Sequence, residues 1–425
     1  MTQRITPRSA LRGTIRIPGD KSISHRAVMF GALAEGTTEI TGFLDGEDCR
    51  STIACFRALG VDIERDGTRV TVHGKGLRGL SAPDGVLDVG NSGTTIRLMS
   101  GILAAQGFAC TVTGDASIQK RPMDRVAIPL SKMGAAITGR DGKALAPLHI
   151  AGRPLHGAHY DMPVASAQVK SAILLASLYA DGETTITEPY PSRDHTERML
   201  NYLGADIRLE NGVIHSHAVD TLTAHAIEVP GDISSAAFFL VAASILPGSR
   251  LVLENVGVNP TRTGIIDALR SMGASIRLLN PRLAGGEDVA DIEVCSAALH
   301  GVDIGGALIP RMIDELPVLA VAALFAEGET TVRDAQELKV KESNRIQTVA
   351  AELAKLGATI RETDDGMIIP GGQTLAGGVV GSHNDHRLAM SMAVAGLAAQ
   401  GIVEIEGAEI AAVSFPHFFT VLSQL

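Results

Sequence analysis

The chain has 425 residues, a formal net charge of −10, 45% hydrophobic residues, 3% aromatic residues and no Trp. That length supports two or three domains with buried cores, which aliphatic side chains and Ala must fill. The acidic balance excludes nucleic acid as a general partner, no apolar run is long enough to span a bilayer, and the opening "MTQRITPRSALRG" lacks the apolar stretch of a secretory signal.

The composition reads as a cytoplasmic α/β protein without membrane contact. Cys49, Cys55, Cys110 and Cys295 have no CxxC spacing. They read as buried reduced thiols, not as a zinc site or a disulfide framework.

The first element is a strand, "TIRIPGD" (14–20), which runs into a helix opening at "GDKSISHR" (19–26). Six segments share the grammar that follows. They begin near Gly19, Gly90, Pro163, Pro230, Ile313 and Asn384, at intervals of roughly 70 residues. Each has a small polar or acidic cluster, then an Ala/Leu-rich helix stopped by Gly, then a strand such as "GTTEITG" or "ETTITE". Five of them continue into a second helix ending in the same register: "FRALGVDI", "LSKMGAAI", "LNYLGADI", "LRSMGASI" and "LAKLGATI".

Repeated helix–strand order predicts an α/β fold of two similar lobes, each of three repeated units. "HAIEVPGD" (225–232) echoes "TIRIPGD", and both read as crossovers between the lobes. The expected division is residues 20–228 for one lobe and 1–19 plus 229–425 for the other.

The helix starts carry an unusual set of residues. Lys21, Ser22 and Arg26 open the first repeat. Asn91, Ser92, Gly93 and Thr94 open the second, whose tail carries Lys120 and Arg121. Ser166, Ala167, Gln168 and Lys170 open the third, whose tail carries Ser192 and Arg193. Asp314 and Glu315 open the fifth, whose tail carries Lys339, Lys341, Glu342 and Arg345. Asn384, Asp385, His386 and Arg387 open the sixth. Cations are unfavourable at a helix N-terminus unless an anion neutralises them. If the lobes face each other, these starts converge on one cleft suited to a multiply charged anion. Asp314, Glu342, His386 and Lys21 are the acid–base candidates. No Walker loop, no GxGxxG after a strand and no metal-spaced cluster is present. No cofactor and no metal is therefore expected.

The stretches "RIPGDKSISHRA", "GNSGTTIRL", "KRPMDR", "ASAQVKSA", "KVKESNR", "NDHRLAMS" and "SFPHF" together resemble the 5-enolpyruvylshikimate-3-phosphate synthase family, in order from about residue 10 to the C-terminus. The resemblance implies an inside-out α/β barrel-like architecture with the active site in the inter-lobe cleft. It implies transfer of the enolpyruvyl group of phosphoenolpyruvate to the 5-hydroxyl of shikimate 3-phosphate. Lys21, Ser22, Arg26, Ser166, Gln168, Ser192, Arg193, Asp314 and Lys341 would hold shikimate 3-phosphate. Lys21, Gly93, Arg121, Gln168, Arg345 and Arg387 would hold phosphoenolpyruvate. Asp314, Glu342 and Lys21 would be catalytic, and Asn91, Thr94, Ala167, Asp385 and His386 are further candidates. A monomer inhibited by glyphosate is implied as well.

Three positions depart from the family's commoner spelling: Val413 stands where a Lys is usual, Lys339 replaces Arg and Asn344 replaces Asp. Two rivals share the expected fold. One is the sister enzyme that uses UDP-N-acetylglucosamine and a reactive loop Cys. The other is an anion-binding scaffold without catalysis.

Overall fold

The computed structural model describes residues 1–425. The chain divides into two compact units. The N-unit is Gly19–Val229 with Leu283–Glu287, and the C-unit is Met1–Pro18, Pro230–Arg282 and Asp288–Leu425. Each has its own apolar core. The turn 283–287 was expected with the C-terminal lobe. It groups instead with the N-unit, where buried Glu287 meets His195 Nδ1 at 2.7 Å.

Each repeat builds one small sheet. In the N-unit the sheets are centred on Glu35–Thr41, Ala109–Thr113 and Thr184–Thr187. In the C-unit they are centred on Arg250–Gly257, Glu329–Val332 and Val403–Glu406. Every central strand has a parallel neighbour on one side and an antiparallel one on the other.

The strand before each Pro-Gly-Asp serves the other half of the sequence. Arg12–Arg16 pairs with Arg250–Gly257, and Ile227–Glu228 pairs with Glu35–Thr41. A Cβ on Gly19 would lie 1.9 Å from the Gly42 carbonyl oxygen, so this crossing requires glycine. The sixth sheet has three strands, and Thr2–Ile5 supplies its antiparallel partner.

The first helix of each repeat is buried nearly all round, with its charged residues gathered in the first turns. All nine residues of Leu316–Leu324 and all twelve of His386–Leu397 are buried. Lys21–Leu33, Gly93–Leu103, Ala167–Ser177 and Ile233–Ile245 are nearly so. Small residues let these helices approach closely: a Cβ on Gly101 would sit 2.1 Å from the Ala172 carbonyl oxygen. Such close approach lets a core with so few aromatic residues pack densely. The second helices, such as Glu47–Ala58 and Arg345–Lys355, bury one face only. The strands alternate buried and exposed residues, as in Arg250–Gly257, and so cover the helices on one side and meet water on the other.

Candidate active site

In the N-unit, side chains tie the starts of the three buried helices together. Asp20 caps Lys21–Leu33 by accepting from Ile23 N at 2.9 Å, and Ser92 caps Gly93–Leu103 by accepting from Thr95 N at 3.1 Å. Ser166 precedes Ala167–Ser177. Thr52 Oγ1 bridges His25 Nδ1 and Thr95 Oγ1, each at 2.7 Å. Gln168 Nε2 donates to Thr94 Oγ1 at 3.1 Å, and its carbonyl accepts from Arg97. Arg26 completes the ring, donating to Ser171 Oγ at 2.8 Å, Thr196 Oγ1 at 2.8 Å and the Ser22 carbonyl at 3.0 Å.

The sequence-expected residues Lys21, Ser22, Arg26, Thr94, Ser166, Ala167 and Gln168 therefore lie at one end of the N-unit. Lys21 pairs with Asp48 at 3.2 Å. Arg121 reaches Asn91 Oδ1 at 3.4 Å and Ser117 Oγ at 3.3 Å. A Cβ on Gly93 would fall 3.0 Å from Arg97 Nη1 and 3.2 Å from Arg121 Nη1. The helix start at Gly93 is thus lined by two guanidinium groups with no side chain between them. Burial lowers Arg26 to about 10 against the pull of Glu197 and Asp20, so it remains a cation at neutral pH.

One expectation changes here. Lys170 does not face outward as part of an anion site. It is buried, with Glu197 Oε1 at 2.8 Å, Glu188 Oε1 at 3.1 Å and the Ser192 carbonyl at 3.2 Å. Burial pushes its ammonium down, but Glu197 and Glu188 outweigh that and hold it above the ordinary lysine value. Ser192 donates both its N–H, at 2.9 Å, and its hydroxyl, at 2.6 Å, to Glu188. Ser192 thus shapes the turn that ends at Arg193.

The C-unit carries a matching cluster built around Arg345, the first residue of its helix. Arg345 Nη1 lies 3.1 Å from Asp314 Oδ1, Nη2 lies 2.7 Å from Glu342 Oε2, and Nε lies 2.8 Å from Asp385 Oδ2. Asp314 also faces Lys341 at 3.4 Å and Arg387 at 3.9 Å. Arg387 reaches Glu315 at 3.7 Å, and Glu315 accepts from Ser234. Burial pushes the Arg345 guanidinium down, but Glu342, Asp385 and Asp314 together lift it above the usual arginine range. Burial alone would raise the Asp385 carboxyl, yet Arg345 holds it below its ordinary value. Asp385 is fully buried, caps His386–Leu397 through Arg387 N at 2.9 Å and accepts from Ser343 Oγ at 3.0 Å. It is a support for Arg345 and Arg387, and His386 is buried beside it.

Sequence reasoning missed Asp48, Arg97, Glu188, Ser171 and Thr196. Arg97 had a usable signal, since it lies one turn after Gly93 on the same helix face. Asp48 had none, because only the fold brings it to Lys21.

His25 makes a testable contribution to stability. Its Nε2 is buried without a hydrogen-bond partner. Burial lowers its pKa from 6.5 to about 3, Asp48 opposes this, and Lys21 and Arg26 add to it. The folded chain therefore keeps His25 neutral while the unfolded chain protonates it below pH 6.5. A depressed folded value gives stability that is full above the unfolded value and is lost as pH falls toward the folded one. At pH 5 the loss is about 2 kcal/mol. Urea unfolding at pH 7.5 and pH 5.0 should show His25→Gln losing less stability on acidification than the parent by about that amount. Equal losses would contradict this account of His25.

The family profile described as EPSP synthase (3-phosphoshikimate 1-carboxyvinyltransferase) matches residues 5–422. A protein of that enzyme name from Bacillus cytotoxicus is 58% identical over 415 residues, covering 98% of each chain. Another from Thermoanaerobacter sp. is likewise 58% identical over 415 residues, covering 98% of each. A solved structure titled as EPSP synthase from Acinetobacter baumannii superposes with a TM-score of 0.91 at 49% identity, over 100% of this chain and 98% of that one.

Proposed function

The chain belongs to the EPSP synthase (3-phosphoshikimate 1-carboxyvinyltransferase) family, and from that premise we propose how its two clusters divide the reaction. The chain is an enzyme that transfers the enolpyruvyl group of phosphoenolpyruvate to the 5-hydroxyl of shikimate 3-phosphate, releasing phosphate. In the addition half, the hydroxyl oxygen bonds to C2 of phosphoenolpyruvate, the hydroxyl proton leaves, and C3 gains a proton. In the elimination half, the new methyl group loses a proton, C2 loses phosphate, and the enol ether is restored.

Asp314 takes the proton of the 5-hydroxyl. Glu342 handles the proton at the methylene carbon, with Lys341 nearby. The observation that carries these roles is the placing of Asp314 and Glu342 on opposite nitrogens of one buried guanidinium, at 3.1 and 2.7 Å. Carboxylates held in fixed positions by cations suit proton transfer to and from defined atoms. Ser166, Ser192 and Arg193 receive the phosphate of shikimate 3-phosphate. Lys21, Ser22 and Arg26 hold the rest of that substrate. Gly93, Arg121, Arg345 and Arg387 hold phosphoenolpyruvate, whose carboxylate and phosphate suit paired Arg forks. Gln168 and Lys21 serve both substrates, and Lys21 steadies charge as the adduct forms.

Incubation with phosphoenolpyruvate labelled with ¹³C at C2 and shikimate 3-phosphate tests this reaction. Carbon-13 NMR should show the label in an enol ether on the 5-oxygen. Label that stays in phosphoenolpyruvate, or passes only to pyruvate, would sink it.

The three buried thiols, all in the N-unit, disfavour the sister reaction that depends on a reactive Cys. Burial raises Cys55 to about 12, Cys110 to about 11 and Cys49 well above its usual value, so none of the three is a thiolate at neutral pH. The scaffold alternative is disfavoured because both proton-handling carboxylates are in place.

No helix is long and apolar enough to cross a membrane, and our reading is of a cytoplasmic monomer. A single species of about 44 kDa in light scattering is expected, against 44.3 kDa for one chain. Glyphosate should inhibit at the phosphoenolpyruvate site, because Gly93 leaves room beside Arg121. Gly93→Ala pushes both guanidinium ends away, which should raise KM for phosphoenolpyruvate about tenfold and the inhibitory glyphosate concentration by more. Unchanged activity of the parent at millimolar glyphosate would refute the proposal.

A further inference from the structure

The third repeat buries a cation that the reaction does not call on. Lys170 is 1% exposed, and its ammonium lies among Glu188, Glu197 and the Ser192 carbonyl. A buried ion pair is a poor way to gain stability, since apolar side chains of the same size often do as well or better. Its use must be sought in what it holds.

Glu188–Asp194 joins the strand Thr184–Thr187 to the helix His195–Tyr202 and has no regular secondary structure. Such a connection depends on side chains for its shape. Here one carboxylate supplies it: Glu188 accepts from both donors of Ser192, and Lys170 holds Glu188 and the Ser192 carbonyl together. The next residue is Arg193. Lys170 also reaches Glu197 on the following helix, beside Thr196, which accepts from Arg26. Ser171, the neighbour of Lys170, accepts from Arg26 as well.

We propose that Lys170 and Glu188 form a positioning pair for the acceptor substrate, fixing the turn at Ser192 so that Arg193 is presented to the phosphate of shikimate 3-phosphate. This rests on the assignment of that phosphate to Ser166, Ser192 and Arg193. Neither residue of the pair touches substrate. Both act through Ser192 and Arg193, so they set affinity for one substrate and not the rate of the chemical step.

Steady-state kinetics of Lys170→Met, Glu188→Gln and Arg193→Ala test the proposal, with thermal melts to show which variants are folded. Lys170→Met leaves two buried carboxylates without their cation and can fail to fold. Glu188→Gln keeps the size of the side chain and removes one of the two acceptors for Ser192, so it carries the test in that case. Lys170→Met should raise KM for shikimate 3-phosphate about tenfold or more, and Glu188→Gln about threefold to tenfold. KM for phosphoenolpyruvate should stay within about twofold and kcat within about threefold. A folded variant with an unchanged KM for shikimate 3-phosphate, or with both KM values raised alike, overturns the proposal. If Arg193→Ala also leaves that KM unchanged, the phosphate assignment itself has failed. If Arg193→Ala raises it and the other two variants do not, only the positioning role has failed.

Discussion

Asp314→Asn should lower kcat by about 10²- to 10⁴-fold, the usual worth of a positioned proton acceptor. Asn keeps the shape of the side chain and the contact with Arg345, which lies 3.1 Å from Oδ1. It loses the ability to accept the proton of the 5-hydroxyl. Shikimate 3-phosphate should still bind, because Lys21, Arg26 and Arg193 belong to the N-unit and are untouched. Removing the Asp314 charge also leaves Lys341 and Arg387 less neutralised, which favours anion binding in the C-unit cluster. The signature is a large loss in kcat with KM unchanged or lower. A kcat within tenfold of the parent would move the base role to another group.

Arg345→Met should be damaging in a different way, to stability as well as to activity. One guanidinium meets Asp314, Glu342 and Asp385, and Asp385 is fully buried. Taking away one side of a buried ion pair costs about 3–5 kcal/mol, because the remaining charge is left without its partner. kcat/KM should fall by about 10³-fold or more, since a binding group is lost and both proton-handling carboxylates lose their anchor.

The pH dependence of the Arg345→Met effect has a definite sign. In the parent, Arg345 holds the Asp385 carboxyl below its ordinary value, so Asp385 contributes stability that is full above the unfolded value and is lost only as pH falls through the folded one. In Arg345→Met only burial remains, and Asp385 takes up a proton at higher pH. The stability gap between the two proteins should therefore be widest near neutral pH and narrow as pH falls toward about 4. Urea unfolding of both proteins at pH 7.5 and pH 4.5 measures this. A gap that widens in acid would contradict the arrangement around Asp385.

The repeats were legible because each imposes the same local order on the chain. A polar cap, an Ala-rich helix, a Gly stop and a β-branched strand recur, and each repeat builds one sheet. The echo between "RIPGD" and "EVPGD" was readable too, and both stretches lead out of strands that pair across the sequence. The turn 283–287 was not readable, because its placement depends on tertiary contacts such as that between Glu287 and His195.

At the site, residues at helix starts could be found from their position in the repeat. What they do there could not. Lys21 and Lys170 look alike in sequence, each close to the start of an Ala-rich helix. Lys21 is half-buried with one carboxylate, whereas Lys170 is enclosed by two, and tertiary packing makes that difference. Arg345 and Arg387 likewise read as two similar cations. The structure makes Arg345 the hub of three carboxylates and leaves Arg387 at the looser distances of 3.7 and 3.9 Å.

Release of inorganic phosphate from phosphoenolpyruvate by the purified chain, with either shikimate 3-phosphate or UDP-N-acetylglucosamine as acceptor, tests the central claim most directly. Release with shikimate 3-phosphate alone is the predicted result. Release with UDP-N-acetylglucosamine, or with neither acceptor, would contradict it.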